Sequence, residues 1–490
     1  NGLYKQGYAL LQAEEFPQSE ETFNQAATVK MQKKWFFKFA RGYREKKQYQ
    51  RAEKIYLYTL KYFNHNKEAG LELADMQLND LANYERAEEV VRREILDYHI
   101  NDADGLLMLG DIFLEWATEK DPSKYEDAYR QYEDLNQLYG KKNPNLYHSR
   151  LMRYFIRTDQ LRQVLHYKEE FEPKEKSLSG DDWTELSGYL LEKLYGELSP
   201  SDEYLRNQIE DVRELLQRSV ITAPENPNAW YNLGKYYITT NEDARVQTSL
   251  ETAITKFNDA PHLKTRELYK FIDSYRLLGE NFTKTQNYLQ AQEKYTDGIT
   301  LFTKEKENAG FEGNALVGNL FADLADINYF VAADYANAET NYQTAVDYGY
   351  DNAKIRYRLG YIQYNNKDYL KALGSFIKSG EGVEKERNLL LALGNTLALR
   401  NDDYAAEGYY EQLVQSLDNE ILERKGAIYP QADKREFDLI TDYLYATNNY
   451  GVILYRLAKR TGDSSRNAKA IVQLQESLRA WDSLTRNQAT

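Results

Sequence analysis

Between Lys30 and Lys54 the chain carries ten Lys and Arg against only Glu45 and Glu53. Within that run Lys34, Phe37, Arg41 and Arg44 follow one another at intervals of three, four and three, the spacing that sets side chains on one face of a helix. The chemistry open to such a face is carboxylate recognition: basic groups over an aromatic floor would seat an acidic peptide or protein surface. The plainer alternative is a solvated basic helix that balances Glu14, Glu15, Glu20 and Glu21 just upstream. Tyr357, Tyr361 and Tyr364, four and three apart, make a second candidate. Leu359-Gly360 claims the core register there and turns Tyr357 and Tyr361 to the opposite face, while Tyr364 also fits a packing position displaced by one residue. Neighbouring segments would add Asp323 and Ile327 on one side and Leu391 and Asn395 on the other. Tyrosine suits protein contacts because its ring buries area at small entropic cost. Tyr231 and Lys235 form a third, smaller element.

Residue patterns that perform reactions do not assemble. His65, His99, His148, His166 and His262 never pair at i, i+4, so a helical zinc site lacks its ligands. No G-x-x-x-x-G-K-[ST], G-x-G-x-x-G or G-x-S-x-G is present. Asn101-Asp102-Ala103-Asp104-Gly105 has the look of a calcium loop without the distal Glu, and reads better as a turn with a helix-capping Asp. Asp181-Asp182 and Asp402-Asp403 sit where helices begin, where the dipole favours negative charge. The expectation is a non-enzymatic chain without metal or cofactor.

The elements that position these residues repeat. Tyr335-x-x-Ala338-x-x-x-Tyr342 returns 34 residues on as Tyr369-x-x-Ala372-x-x-x-Phe376, and again at Ala406 and Tyr410; Leu359-Gly360 returns as Leu393-Gly394. Such a period with small residues at fixed slots predicts helix hairpins that bury their core between neighbours. Hairpins follow from the N-terminus, with Ala52 to Ala87 separated by one period plus one residue. A degenerate hairpin spans Leu146 to Phe171, and two long helices end the chain around Thr461-Gly462-Asp463-Ser464-Ser465. About eleven or twelve hairpins are expected. Turn formers at 172–182 and an insertion around Ser199-Pro200 mark an irregular segment. The predicted organisation is 1–171 as an N-terminal array, 172–225 as linker and irregular hairpin, 226–435 as a regular array, and 436–490 as a terminal helix pair. Opening inside a helix without a Met, the chain reads as an excised or processed piece.

Trp230-x-x-Leu233-Gly234-x-x-Tyr237, followed by Leu250-x-x-Ala253, resembles the tetratricopeptide repeat. The resemblance implies an all-α, right-handed superhelical solenoid of antiparallel helix hairpins whose first helices line a concave groove that holds protein partners. Members that clamp chaperone carboxyl termini use Lys and Asn in that groove; here the equivalent slots are Phe37/Arg41 and Tyr231/Lys235, so the clamp is broken. Long Tyr-rich, Cys-free arrays look like periplasmic scaffolds of bacterial envelope machines, and the suggested relatives are the spirochaete flagellar collar protein and the scaffold of exopolysaccharide export.

Composition agrees with a surface-presenting chain. Of 490 residues, 43 are Tyr and none is Cys, which excludes disulfides and thiolate metal sites. A net charge of −14 with acidic and basic residues mixed along most of the chain disfavours bulk nucleic-acid binding, and no apolar run approaches the roughly 20 residues of a membrane helix. The expectation is a scaffold for protein partners in a periplasmic or envelope setting, with a glycan- or solute-binding helical-repeat module as the alternative.

Overall fold

The computed structural model describes residues 1–171, 178–197, 203–207, 212–260, 263–380, 387–423 and 434–486. Residues 172–177 of the expected linker, and the Ser199-Pro200 insertion, lie outside the described residues. Among the described residues the chain is all-α, and consecutive helices pair antiparallel as twelve hairpins, from Gly2–Gln12 with Phe16–Val29 to Lys434–Thr461 with Ser464–Arg486. They group into two compact units, Asn1–Asn281 and Phe282–Thr490. No helix of the described residues is long and apolar enough to cross a membrane.

The Leu-Gly motif has a direct steric cause. A Cβ on Gly110 would lie 2.5 Å from the Tyr132 ring, one on Gly360 2.7 Å from Phe376, and one on Gly394 2.7 Å from Tyr410. Each of these three glycines thus admits an aromatic ring from the second helix of its hairpin, whereas Gly234 admits Leu250 in the same way. In all three the ring is fully buried or nearly so. The tyrosine hydroxyl then donates to the polar residue that follows Gly on the first helix. Tyr132 reaches Asp111 at 2.7 Å and Tyr410 reaches Asn395 at 2.6 Å. Burying a phenol is stabilising only when its hydroxyl is satisfied, so ring and acceptor come as a pair.

The turn inside each hairpin is also periodic. Ala333, Lys367 and Asn401, 34 residues apart, hold φ of 51°, 63° and 64°. One left-handed residue per turn reverses the chain within a few residues. The extra residue between Ala52 and Ala87 falls where the helix Lys67–Asp75 continues into a wider π turn, Met76–Asp80. A π turn absorbs one inserted residue without breaking the helix. The start of Gly180–Glu192 carries a reciprocal cap, Ser179 with Asp182, and Asp102 caps Ala103–Glu119 by accepting from the Asp104 and Gly105 amides. Asp102-Asp104 is therefore a helix start, tied further by Lys67 at 2.9 Å from each carboxylate.

Candidate functional site

The basic face is one helix, Lys33–Glu45, but its two guanidiniums are engaged from within. Arg41 pairs with Glu68 at 2.9 Å and with Glu72, and Arg44 pairs with Asp75 at 2.6 Å and with Asp80. All four acids belong to the next hairpin's first helix and its π turn. Phe37 is buried beneath, its ring 5.0 Å from the Arg41 guanidinium, while Lys34 is exposed and has no ion pair among the described residues. In place of a free positive pocket, the chain has four carboxylates facing two guanidiniums, a joint between hairpins.

Tyr231 and Lys235 border a larger feature. Tyr231 is buried and donates to Asp273 at 2.7 Å, and Lys235 pairs with Glu192 at 3.1 Å while sitting 5.5 Å from the Tyr231 ring. Beside them a cavity of about 790 Å³ is walled by the first helices of six successive hairpins, from Lys67–Asp75 with its π turn to Thr265–Lys284. Its charges form a network. Glu115 accepts from Lys264 at 2.8 Å and Arg266 at 2.9 Å, and Arg266 also reaches Glu119 at 2.5 Å. Arg157 holds Glu185 at 2.7 Å and Arg153 holds Asp182 at 2.6 Å. Against the burial that would raise them, Arg266, Lys264 and Arg157 hold the Glu115 carboxyl far below its ordinary range, and Arg157 and Arg153 hold Glu185 at about 2. Burial pushes the Lys270 ammonium down. Sequence reading missed this network because its partners lie on different helices, from 28 to 151 residues apart, and show no spacing signal.

The three tyrosines of the second unit do meet. Tyr357, Tyr361 and Tyr364 line a cavity of about 620 Å³ with Tyr329, Phe376, Asn388, Leu391, Ala392 and Asn395. Leu391 and Asn395 sit where expected. The other wall is Tyr329 in place of Asp323 and Ile327, and Ile327 is buried. Tyr357 and Tyr361 stack at 6.4 Å, and Tyr357 packs on Phe376 at 5.8 Å. Tyr361 is 43% exposed, enough to offer a ring face. Asn395 Oδ1 accepts from Tyr410 and from Asn449 at 2.9 Å, which turns its NH₂ group outward as a donor without a partner among the described residues. Among the described residues no charged side chain lines this cavity. Among the described residues no group of three acids or histidines is placed to hold a metal.

The tetratricopeptide repeat family model matches residues 327–380, the segment that carries the Tyr335-x-x-Ala338 and Tyr369-x-x-Ala372 copies of the repeat and five of the nine residues lining the tyrosine cavity. That segment thus matches the tetratricopeptide repeat, and the described residues around it form an all-α array of antiparallel hairpins. Solved structures similar to it include the apo form of RapI, at 13% identity and TM-score 0.44, covering 77% of this chain and 99% of that one. The C-terminal part of a repeat-containing protein from Cytophaga hutchinsonii is similar at 15% identity and TM-score 0.37, covering 61% and 99%. YrrB, described as having an unusual peptide-binding site, is similar at 16% identity and TM-score 0.33, covering 43% and 98%. A search of curated proteins finds no match.

Proposed function

We propose that the protein is a non-enzymatic scaffold that holds an extended, uncharged segment of a protein partner on the tyrosine cradle of its second unit. The observation that carries this reading is the cavity of Tyr329, Tyr357, Tyr361 and Tyr364, with Asn395 offering an amide donor at its edge. Aromatic walls without charge favour apolar or proline-rich segments, whose backbone carbonyls need a donor and whose side chains need ring faces. The basic face at Lys34, Phe37, Arg41 and Arg44 contributes less, since an acidic partner would have to displace acids already bound to Arg41 and Arg44. The finer reading places the scaffold in a bacterial envelope assembly such as the flagellar collar; it rests on the Tyr-rich, Cys-free composition.

Affinity purification from native cells with the wild-type chain and the Tyr361→Ala, Asn395→Ala double variant tests the proposal. A single protein partner retained by wild type and weakened about tenfold or more by the variant is expected, the range of an interfacial hot spot. Retention unchanged by the variant would remove the cradle from the interface. Selective capture of an oligosaccharide on a glycan array, lost in the same variant, would instead establish the glycan-binding alternative, which stacked rings also suit.

A further inference from the structure

We propose that the cavity of the first unit is a receptor site for a small zwitterion, a free amino acid or a short peptide with both ends ionised, whose carboxylate pairs with Lys270. The cations that line it differ in their partners. Arg153, Arg157, Lys264 and Arg266 each have a carboxylate at 2.6–2.9 Å. Lys270 lines the same space, and no carboxylate among the described residues lies within 4.0 Å of its ammonium. It rests 5.9 Å from the Tyr231 ring, whose hydroxyl is already committed to Asp273. A recessed ammonium without a counterion is unfavourable unless something supplies one, and burial here shifts its protonation downward accordingly.

Two acceptors in the same wall lack donors. Glu185 Oε2 and Asn228 Oδ1 are buried with no hydrogen-bond partner, although Glu185 Oε1 is held by Arg157. Native interiors leave few such atoms, and those at a cavity point to a group that completes them. The missing group must therefore accept at one end and donate at the other. Glu192 and Glu267 add further negative charge to the lining, which opposes a ligand carrying only anionic groups. The volume, about 790 Å³, lies within the range of small-molecule sites. This site shares no residue with the tyrosine cradle, and the two readings stand separately.

The test is thermal unfolding and titration calorimetry of the full chain with each of the twenty L-amino acids and triglycine. Succinate and putrescine serve as controls of one sign. At least one zwitterion should raise the melting temperature while neither control does, and Lys270→Met should weaken its binding by about tenfold or more. The unliganded Lys270→Met chain should melt at or above wild type, because a charge awaiting a ligand is removed; a lysine with a structural partner would instead lower it. Glu192→Gln, at an exposed position, guards against a folding defect and should weaken the same ligand several-fold. No shift with any zwitterion at about 10 mM, equal binding by Lys270→Met, a lower melting temperature of unliganded Lys270→Met, or binding of succinate alone would overturn the proposal.

Discussion

A single Cβ separates two outcomes at glycines of the same array. At Gly394 the added atom would meet the ring of Tyr410, which is 1% exposed and hydrogen-bonded to Asn395, so the ring has nowhere to retreat. At Gly408, in the middle of helix Asp403–Glu423, nothing lies within 4 Å. Alanine is the better helix former by up to about 1 kcal/mol, whereas overpacking a filled core costs about 1–3 kcal/mol. Gly394→Ala should therefore lower stability and Gly408→Ala should raise it by about 0.5–1 kcal/mol, as read from urea midpoints. Equal effects of the two would show that the Leu-Gly motif has another origin.

Helices are joined by charges whose worth depends on burial. Arg41 and Arg44 lie on the same helix and each bridges to the next hairpin, yet Arg41 is half exposed while Arg44 is 24% exposed and Asp80 15%. Water screens the first pair and much less the second. Arg41→Ala should cost less than about 1 kcal/mol. Arg44→Ala leaves Asp80 without its partner and should cost about 1–3 kcal/mol, because a half-buried carboxylate loses its charge-assisted bonds. Urea unfolding of the two variants decides it; a larger loss for Arg41 would refute the ranking. The π turn contributes here, since Asp80, which bonds Arg44, is its last residue.

At the scale of the molecule, the first unit is closed by Glu115, which joins Ala103–Glu119 to Lys264 and Arg266 about 150 residues later. The Glu115 and Glu185 carboxyls lie below their free value of 4.5, Glu185 at about 2. A carboxyl held lower in the folded chain than in the unfolded one adds stability above the unfolded value and loses it as pH falls through the folded one. The first unit should therefore loosen between about pH 4.5 and pH 2, with its basic partners charged throughout. Tryptophan emission is a suitable probe, because Trp35, Trp116, Trp183 and Trp230 all lie in that unit. Glu115→Gln should cost about 3–5 kcal/mol at neutral pH, leaving Arg266 and Lys264 short of a counterion, and should flatten the acid transition. A wild-type chain whose stability is constant over that window would contradict the assignment.

The period of 34, the Leu-Gly slots and the Tyr357, Tyr361, Tyr364 face were legible in the primary sequence, because hairpin packing is local and repeats the same contact at the same spacing. The extra residue before Ala87 was visible too, though only the backbone shows that a π turn absorbs it. The fate of charge was decided elsewhere. Arg41 and Arg44 looked like an open basic face, yet their acids come from the following hairpin; Lys270 carries no sequence mark at all. Spacing along one helix reports which side chains share a face, whereas the partner of a charge depends on which distant helix the array brings alongside it, and that is settled only in three dimensions.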